Sequence, residues 1–173
     1  MISIPIILAT GRKGRQSKRV ADFVLREADF PTEIIDVRDW AKTATQRYPK
    51  NQEKLRKKIE KADGFIIVSP EYNSGYPGEL KILLDTFLDE YEGKPVGIIG
   101  VSAGTFGGIR MIEKLKPILF NLGLKPISSE VVFKEIGSVF DSDGNPEEEH
   151  LRRVKSFLKE LKREVENSIE NRS

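Results

Sequence analysis

Three short segments of this 173-residue chain bring together residue types that hold anions and flat rings. The first reads Ala9-Thr10-Gly11-Arg12-Lys13-Gly14-Arg15-Gln16-Ser17. Its two glycines keep the backbone permissive, and the hydroxyls of Thr10 and Ser17 can donate. Arg12 and Arg15 can each grip two oxygens at once. A helix that starts at Ser17 adds free N–H groups and a positive end, so the run can hold a phosphate. It is neither a Walker A loop nor a Rossmann glycine fingerprint. A solvated basic loop ending in a Ser cap is the competing reading. The second segment reads Pro70-Glu71-Tyr72-Asn73-Ser74-Gly75-Tyr76-Pro77-Gly78. Its prolines stiffen it, Asn73 and the backbone can bond the edge of a heterocycle, and Tyr72 or Tyr76 can form a wall. An ordinary turn between a strand and a helix is the alternative. The third reads Ser102-Ala103-Gly104-Thr105-Phe106-Gly107-Gly108. Small residues let a ligand approach backbone N–H groups, and Phe106 can cover a ring. A flexible connection would look the same.

The elements that must position these segments follow from the apolar pattern. Ile2–Leu8, Glu33–Val37, Gly64–Ser69 and Val96–Ser102 read as strands, with a fifth strand region at Lys125–Ile127 and Val131–Phe133. The strands show little polar alternation, which means that both faces are covered, as in a parallel sheet. Helical spacing predicts Ser17–Ala28, Asn51–Lys61, Gly78–Leu88, Ile109–Leu122 (bent near Pro117) and Glu147–Ile169. Five βα units predict an α/β fold: a three-layer, doubly wound, five-stranded parallel sheet in one domain, residues 1–173. Ligands of such sheets bind beyond the carboxyl ends of the strands. All three segments fall there, one suited to phosphate and two to a flat ring, and the combination favours a mononucleotide. Pro5 fits poorly inside the first strand, because it has no N–H for the ladder. Either that bond is not needed, or the strand is bulged or starts later. Ala41–Lys50 reads as a long connection. Asn145 is expected to cap the last helix, with Pro146 at its first position.

Composition narrows the chemistry. There are no cysteines, which excludes disulfides and thiolate chemistry. His150 is the single histidine, so zinc sites and catalytic triads lose most of their parts. A surface or packed histidine is the expectation there, and no metal is expected. The 29 basic and 27 acidic side chains leave a net charge of +2, too small an excess to argue for nucleic acid. No apolar run approaches the roughly 18 residues of a spanning helix, and Met1–Leu8 lacks the basic leader and cleavage site of a signal peptide. No membrane partner is expected. Leu151, Val154, Leu158, Leu161, Val165 and Ile169 form a stripe that should pack on the domain's own sheet.

At the three loops the sequence resembles the NADPH-dependent FMN reductase family, which has a flavodoxin-like fold and includes quinone, azo-dye and chromate reductases. Ser69-Pro70-Glu71-Tyr72-Asn73 with Tyr76-Pro77-Gly78-Glu79-Leu80-Lys81 matches the family nearly word for word. Ala9-Thr10-Gly11-Arg12 corresponds to its Gly-Ser-x-Arg run, with Ala9 in place of the usual glycine. Ser102-Ala103-Gly104 with Gly107-Gly108 matches the third loop. The resemblance spans about Ile2 to Phe133. It implies that Thr10, Arg12, Arg15, Gln16 and Ser17 cradle the FMN phosphate. Pro70, Glu71, Tyr72 and Asn73 would line one edge of the ring, and Ser102, Ala103, Gly104, Phe106 and Gly107 the other. Glu71 is expected to have a structural role, accepting N–H bonds in its loop.

The reaction implied by the resemblance passes hydride from NADPH or NADH to flavin, then to a small-molecule acceptor: a quinone, azo dye, metal oxyanion or free flavin. No catalytic acid or base is needed, because the cofactor carries the chemistry. A flavodoxin-type electron carrier is the main alternative, although such carriers are usually acidic and this chain is near neutral. A receiver-like signalling domain would need an acceptor Asp where the third strand ends in Ser69-Pro70. A non-enzymatic binding module is the remaining rival. Lys13 and Arg110 are the cations that could select NADPH. A cytoplasmic homodimer or homotetramer is expected.

Overall fold

Five strands form one all-parallel sheet in the order β2-β1-β3-β4-β5. They are β1 (Ile6–Leu8), β2 (Ile34–Asp36), β3 (Phe65–Pro70), β4 (Pro95–Val101) and β5 (Lys125–Phe133). The structure is a computed structural model and describes residues 2–40 and 52–171. The helices are α1 (Ser17–Glu27), α2 (Val37–Trp40), α3 (Gln52–Lys61), α4 (Gly78–Leu84), α5 (Ile109–Asn121) and α6 (Glu148–Glu170). The predicted connection over Ala41–Lys50, and Asn51, lie outside the described residues. The predicted α/β sandwich is present. Every residue of β1 and β4 is buried, which is why those strands are apolar without alternation.

Each face of the sheet has its own core. Ile6, Leu8, Ile66, Val68 and Ile99 point to the side covered by α1 and α6. Ile7, Ile35, Phe65, Ile67 and Ile98 point to the side covered by α3, α4 and α5. Each large aliphatic side chain so buried contributes about 1.5–3 kcal/mol relative to exposure. The stripe on α6 packs on its own sheet, with Val154, Leu158, Leu161 and Val165 buried together with Phe157. The Phe157 ring lies over Gly97 of β4, where a Cβ would stand 2.3 Å from the ring carbon Cζ. Gly97 therefore sets how closely α6 can approach the sheet.

Four sequence expectations change. Pro5 lies before β1, so the first strand starts later and its ladder loses nothing; the Pro5 carbonyl still accepts from Ile66 N at 3.0 Å. The fourth helix ends at Leu84, and its chain continues into a 3-10 turn at Asp89–Tyr91. The two pieces of the fifth strand are one strand, interrupted where Val96 pairs with Pro126 but Ile98 pairs with Glu130. Glu160 of α6 serves this bulge by accepting from Ser129 N at 3.1 Å and from the Ser129 hydroxyl. Asn145 does not cap α6. Its N–H donates to Asp141 Oδ1 at 2.8 Å, Pro146 pairs with Phe140, and the helix begins at Glu148 without a side-chain cap. The local Asp141 turn outcompetes the cap for that backbone.

Candidate functional site

The strand order reverses direction between β1 and β3, and the loops that follow those two strands meet there. Between them lies a cavity of about 310 Å³, at the small end of ligand sites. The loop after β1 lines it with Arg12, Arg15, Gln16 and Ser17, joined by Lys13 and Gly14. Pro70, Glu71 and Tyr72 come from the loop after β3, and Ser102 and Ala103 from the loop after β4, where Val101 also contributes. Ile136, beyond β5, closes the wall. Sequence reasoning considers Lys13 only as a cation for NADPH, and it misses Gly14, Val101 and Ile136. Extending the carboxyl-end rule to β5 would have found the segment holding Ile136.

The first loop turns on Thr10, which is fully buried. Its hydroxyl accepts from Arg12 N at 3.3 Å and shares a 3.1 Å hydrogen bond with the Tyr72 hydroxyl, so it ties the β1 and β3 loops together. The Arg12 guanidinium is exposed and stands 5.8 Å from the Tyr72 ring centroid. Arg15 differs from its sequence reading: its side chain is buried and both terminal nitrogens bind Asp36, leaving Nε without a partner. Gln16 is exposed, and its side-chain oxygen accepts from Arg19 at 3.4 Å. Ser17 opens α1 with its hydroxyl buried and unpartnered.

The second loop is a tight turn. Tyr72 and Gly75 exchange backbone hydrogen bonds at 2.8 and 2.9 Å around Asn73 (φ 48°) and Ser74 (φ 62°). Two consecutive non-glycine residues in the left-handed region carry strain, which persists where surrounding structure fixes it. Asn73 is exposed at the tip and does not line the cavity. Glu71 differs from its expectation: its Oε1 accepts from the guanidinium of Arg110 and from no loop amide among the described residues, with Arg110 Nε at 2.8 Å. Its Oε2 is buried without a partner. Arg110 in turn lies 4.9 Å over the ring of Phe106. This engagement leaves Lys13, exposed on the cavity rim, as the freer of the two cations considered for NADPH.

In the third loop the Ser102 hydroxyl accepts from Gly104 N at 3.0 Å. Gly104 and Phe106 are exposed and lie outside the cavity lining, Phe106 being 58% accessible. Gly107 does not face the cavity. It is buried against β5, where a Cβ would meet Val132 at 2.9 Å, and its φ of 63° suits glycine. The described residues contain no cluster of His, Asp and Glu able to hold a metal ion. His150 packs, as expected, with its ring stacked 4.9 Å from Phe133.

The donor set fits a phosphate-tailed flat ring. A buried hydroxyl and a buried guanidinium nitrogen lack protein partners beside a helix start, and their residues line the same cavity as small residues and one tyrosine. Fold and site together define an α/β domain of the flavodoxin type, with its cavity at the switch point of the sheet. More narrowly, the chain belongs to the NADPH-dependent FMN reductase family, whose pattern residues 2–137 match. It is 34% identical over 130 residues to an NAD(P)H-dependent FMN reductase of Schizosaccharomyces pombe, covering 66% of this chain and 64% of that one. It therefore spans slightly less than two thirds of that relative's length. It is 27% identical to a 2-hydroxy-1,4-benzoquinone reductase of a Burkholderia species, covering 91% and 92% of the two chains. The flavoenzyme NAD(P)H:(acceptor) oxidoreductase FerB of Paracoccus denitrificans shares the fold, with a TM-score of 0.84, 21% identity and coverage of 97% and 99%.

Proposed function

We propose that the protein is an FMN-dependent NAD(P)H oxidoreductase that delivers electrons to a small-molecule acceptor such as a quinone, an azo dye, a metal oxyanion or free flavin. The observation that carries this reading is the cavity between the β1 and β3 loops, lined in part by Arg15 and Ser17, whose Nε and hydroxyl are buried without a protein partner. When bound there, the flavin supplies the ability to take hydride from a nicotinamide and release it to the acceptor. The chain supplies the grip. Arg12, Ser17 and the amides of the first loop hold the phosphate, with Thr10 fixing the loop from behind. Gln16 borders that site. Arg15 acts through its backbone, because Asp36 and the Thr10 carbonyl hold its buried guanidinium.

Pro70, Glu71 and Tyr72 flank one edge of the ring, with Asn73 setting the turn behind them. Ser102, Ala103 and Gly104 flank the other edge, and Gly107 anchors that loop to β5. Arg110 offsets the Glu71 charge, so the carboxylate does not oppose negative charge growing on the ring. Phe106, exposed in the loop after β4 with Arg110 over one face of its ring, offers the other face for a nicotinamide or an acceptor to stack on. No side chain is assigned as a proton donor, and none is required. The charge balance and the lack of a helix able to span a membrane among the described residues favour a cytoplasmic setting without nucleic-acid or membrane partners. A homodimer or homotetramer is part of the same proposal. The whole chain acts as one domain.

The test is spectroscopic. Purified protein mixed with FMN should quench flavin fluorescence and shift its visible bands. NADPH added under argon should bleach the yellow colour, and a quinone should restore it. A protein that takes up no FMN overturns the proposal. FMN uptake without bleaching by NADPH or NADH would instead identify an electron carrier.

A further inference from the structure

Three successive carbonyls of the first loop are held by Arg15 and Arg38, both of which depend on the end of β2, and Arg38 is not part of the cavity lining. Asp36 is the last residue of that strand. Its carboxylate binds both terminal nitrogens of Arg15, with Nη1 at 2.9 Å from Oδ1, and Arg15 Nη1 also donates to the Thr10 carbonyl. The same Oδ1 accepts from Arg38 N at 3.0 Å, which fixes the start of α2. Arg38 then reaches back, its Nε donating to Gly11 O and its Nη2 to Arg12 O, each at 3.2 Å. Gly11 is in ordinary contact with Arg38, since a Cβ there would lie 3.8 Å from Arg38 Cα, and 3.7 Å from Glu79 Oε1.

The consequence follows from the planar trans peptide. The chain has no cis bonds among its described residues, so each carbonyl and the next N–H point in opposite directions. Pulling the carbonyls of Thr10, Gly11 and Arg12 outward turns the N–H groups of Gly11, Arg12 and Lys13 the other way. Arg12 N already points to the buried Thr10 hydroxyl, while Gly11 N and Lys13 N donate to no acceptor among the described residues. With Arg12 N spent on Thr10, the amides of Gly11 and Lys13 on either side of it are the ones left to bind an anion. Asp36 would repel an anion if left alone, but the paired Arg15 cancels its charge.

We propose that Asp36 and Arg38 are positioning residues that hold the first loop in its phosphate-binding conformation without touching the ligand. This inference rests on the FMN reading above and names which part of the flavin feels the tether. On that reading the ring rests mainly on the other two loops, which touch the first through the Thr10–Tyr72 hydrogen bond, so the phosphate should report a loosened first loop more strongly than the ring.

The experiment compares FMN with riboflavin, which has the same ring and no phosphate, by fluorescence titration of wild type, Arg38→Ala and Asp36→Asn. Arg38→Ala removes two hydrogen bonds at an exposed side chain, so FMN affinity should fall about tenfold while riboflavin affinity changes less than about twofold. Asp36→Asn should act in the same direction, and its thermal melt shows whether it folds. Inorganic phosphate is an independent probe, and it should raise the melting temperature of wild type more than that of Arg38→Ala. Equal losses for FMN and riboflavin, or no loss in Arg38→Ala, would overturn the tether while leaving the flavin reading intact. Wild type that binds neither flavin would overturn that reading, and the tether with it.

Discussion

The two ends of the sheet treat their buried polar groups differently. At the amino-terminal end the chain satisfies its own charges. Lys94, almost fully buried, closes α3 by donating to the carbonyls of Ile59 at 2.8 Å and Glu60 at 3.0 Å. Ser3 and Asp63 bond reciprocally at 2.7 and 2.8 Å, and Lys125 N reaches Lys94 O at 2.9 Å. The idle buried groups there are two neutral hydroxyls, on Thr32 and Tyr91. At the carboxyl end the idle groups are a guanidinium nitrogen of Arg15, a carboxylate oxygen of Glu71 and the Ser17 hydroxyl, all in residues that line the cavity, and Nδ1 of His150, whose ring stacks on Phe133 away from it. An unpaired part of a charged group costs more than an unpaired hydroxyl. All three non-glycine residues with positive φ among those described (Asn73, Ser74 and Glu135) also sit in carboxyl-end loops. One end is built to be finished by the protein and the other to be finished by something else.

The largest expected effect that would break this contrast is on Arg12. Its guanidinium is exposed and makes no ion pair among the described residues, so Arg12→Ala should leave stability nearly unchanged. Losing a charge-assisted contact to phosphate should weaken FMN binding by about 10- to 100-fold, or about 1.5–3 kcal/mol. Titration with FMN alongside a thermal melt checks both halves. Unchanged FMN affinity would remove Arg12 from the phosphate cradle, and a large loss of stability would make the loop self-supporting like the opposite end.

Much of this architecture is legible in the sequence because both faces of the sheet are covered. Runs such as Phe65–Val68 and Val96–Val101 are apolar throughout, which identifies buried parallel strands and so places the loops that follow them. The Ser69–Asn73 and Tyr76–Lys81 runs are recognisable because their residue types are unusual in combination. What escapes depends on contacts distant in sequence. Nothing in Arg15 itself says that Asp36 will occupy it, and nothing in Glu71 says that Arg110, 39 residues away, will neutralise it. Residue type alone suggests that Gly107 faces a ligand, because glycines often do, whereas here its backbone gives β5 room to pack. Asn145 shows the same limit over a shorter span, since a turn centred on Asp141 claims the backbone first.

A second prediction sharpens the amino-terminal side. Tyr91 is fully buried between Phe65 and Phe87, and burial, aided by nearby Asp85, pushes its phenol pKa above the ordinary value. The unfolded chain releases that proton near pH 10, while the folded protein retains it. The unfolded state then binds fewer protons, so stability falls as pH rises above about 10, by up to about 1.4 kcal/mol per pH unit for one such group. Lys116 works in the same direction. Hydrogen bonding to Glu130, with a smaller contribution from Glu113, raises its pKa, and that contribution is complete below about pH 10.4 and lost as pH climbs through the folded value. Denaturation between about pH 8 and 11 should show the decline, and Tyr91→Phe should flatten it without altering FMN affinity. A pH profile identical in the variant would mean that Tyr91 reaches solvent or a partner.

The smallest effect is the most discriminating, because it separates the two ends at a single oxygen. Ser17 sits at the first position of α1 with its hydroxyl buried and bonded to nothing among the described residues. Ser17→Ala removes an unsatisfied group and adds a better helix former, so the ligand-free protein should keep its stability within about 0.5 kcal/mol or gain slightly. FMN affinity should nevertheless fall, by about fivefold for one neutral hydrogen bond, while riboflavin affinity stays level. The same deletion at a hydroxyl the protein uses, such as Thr10→Val, should lower ligand-free stability as well, because the Tyr72 hydroxyl and the Arg12 amide lose their shared partner. If Ser17→Ala instead destabilises the ligand-free protein as Thr10→Val does, the hydroxyl belongs to the fold, and the idle donors at the carboxyl end no longer mark a place reserved for a ligand.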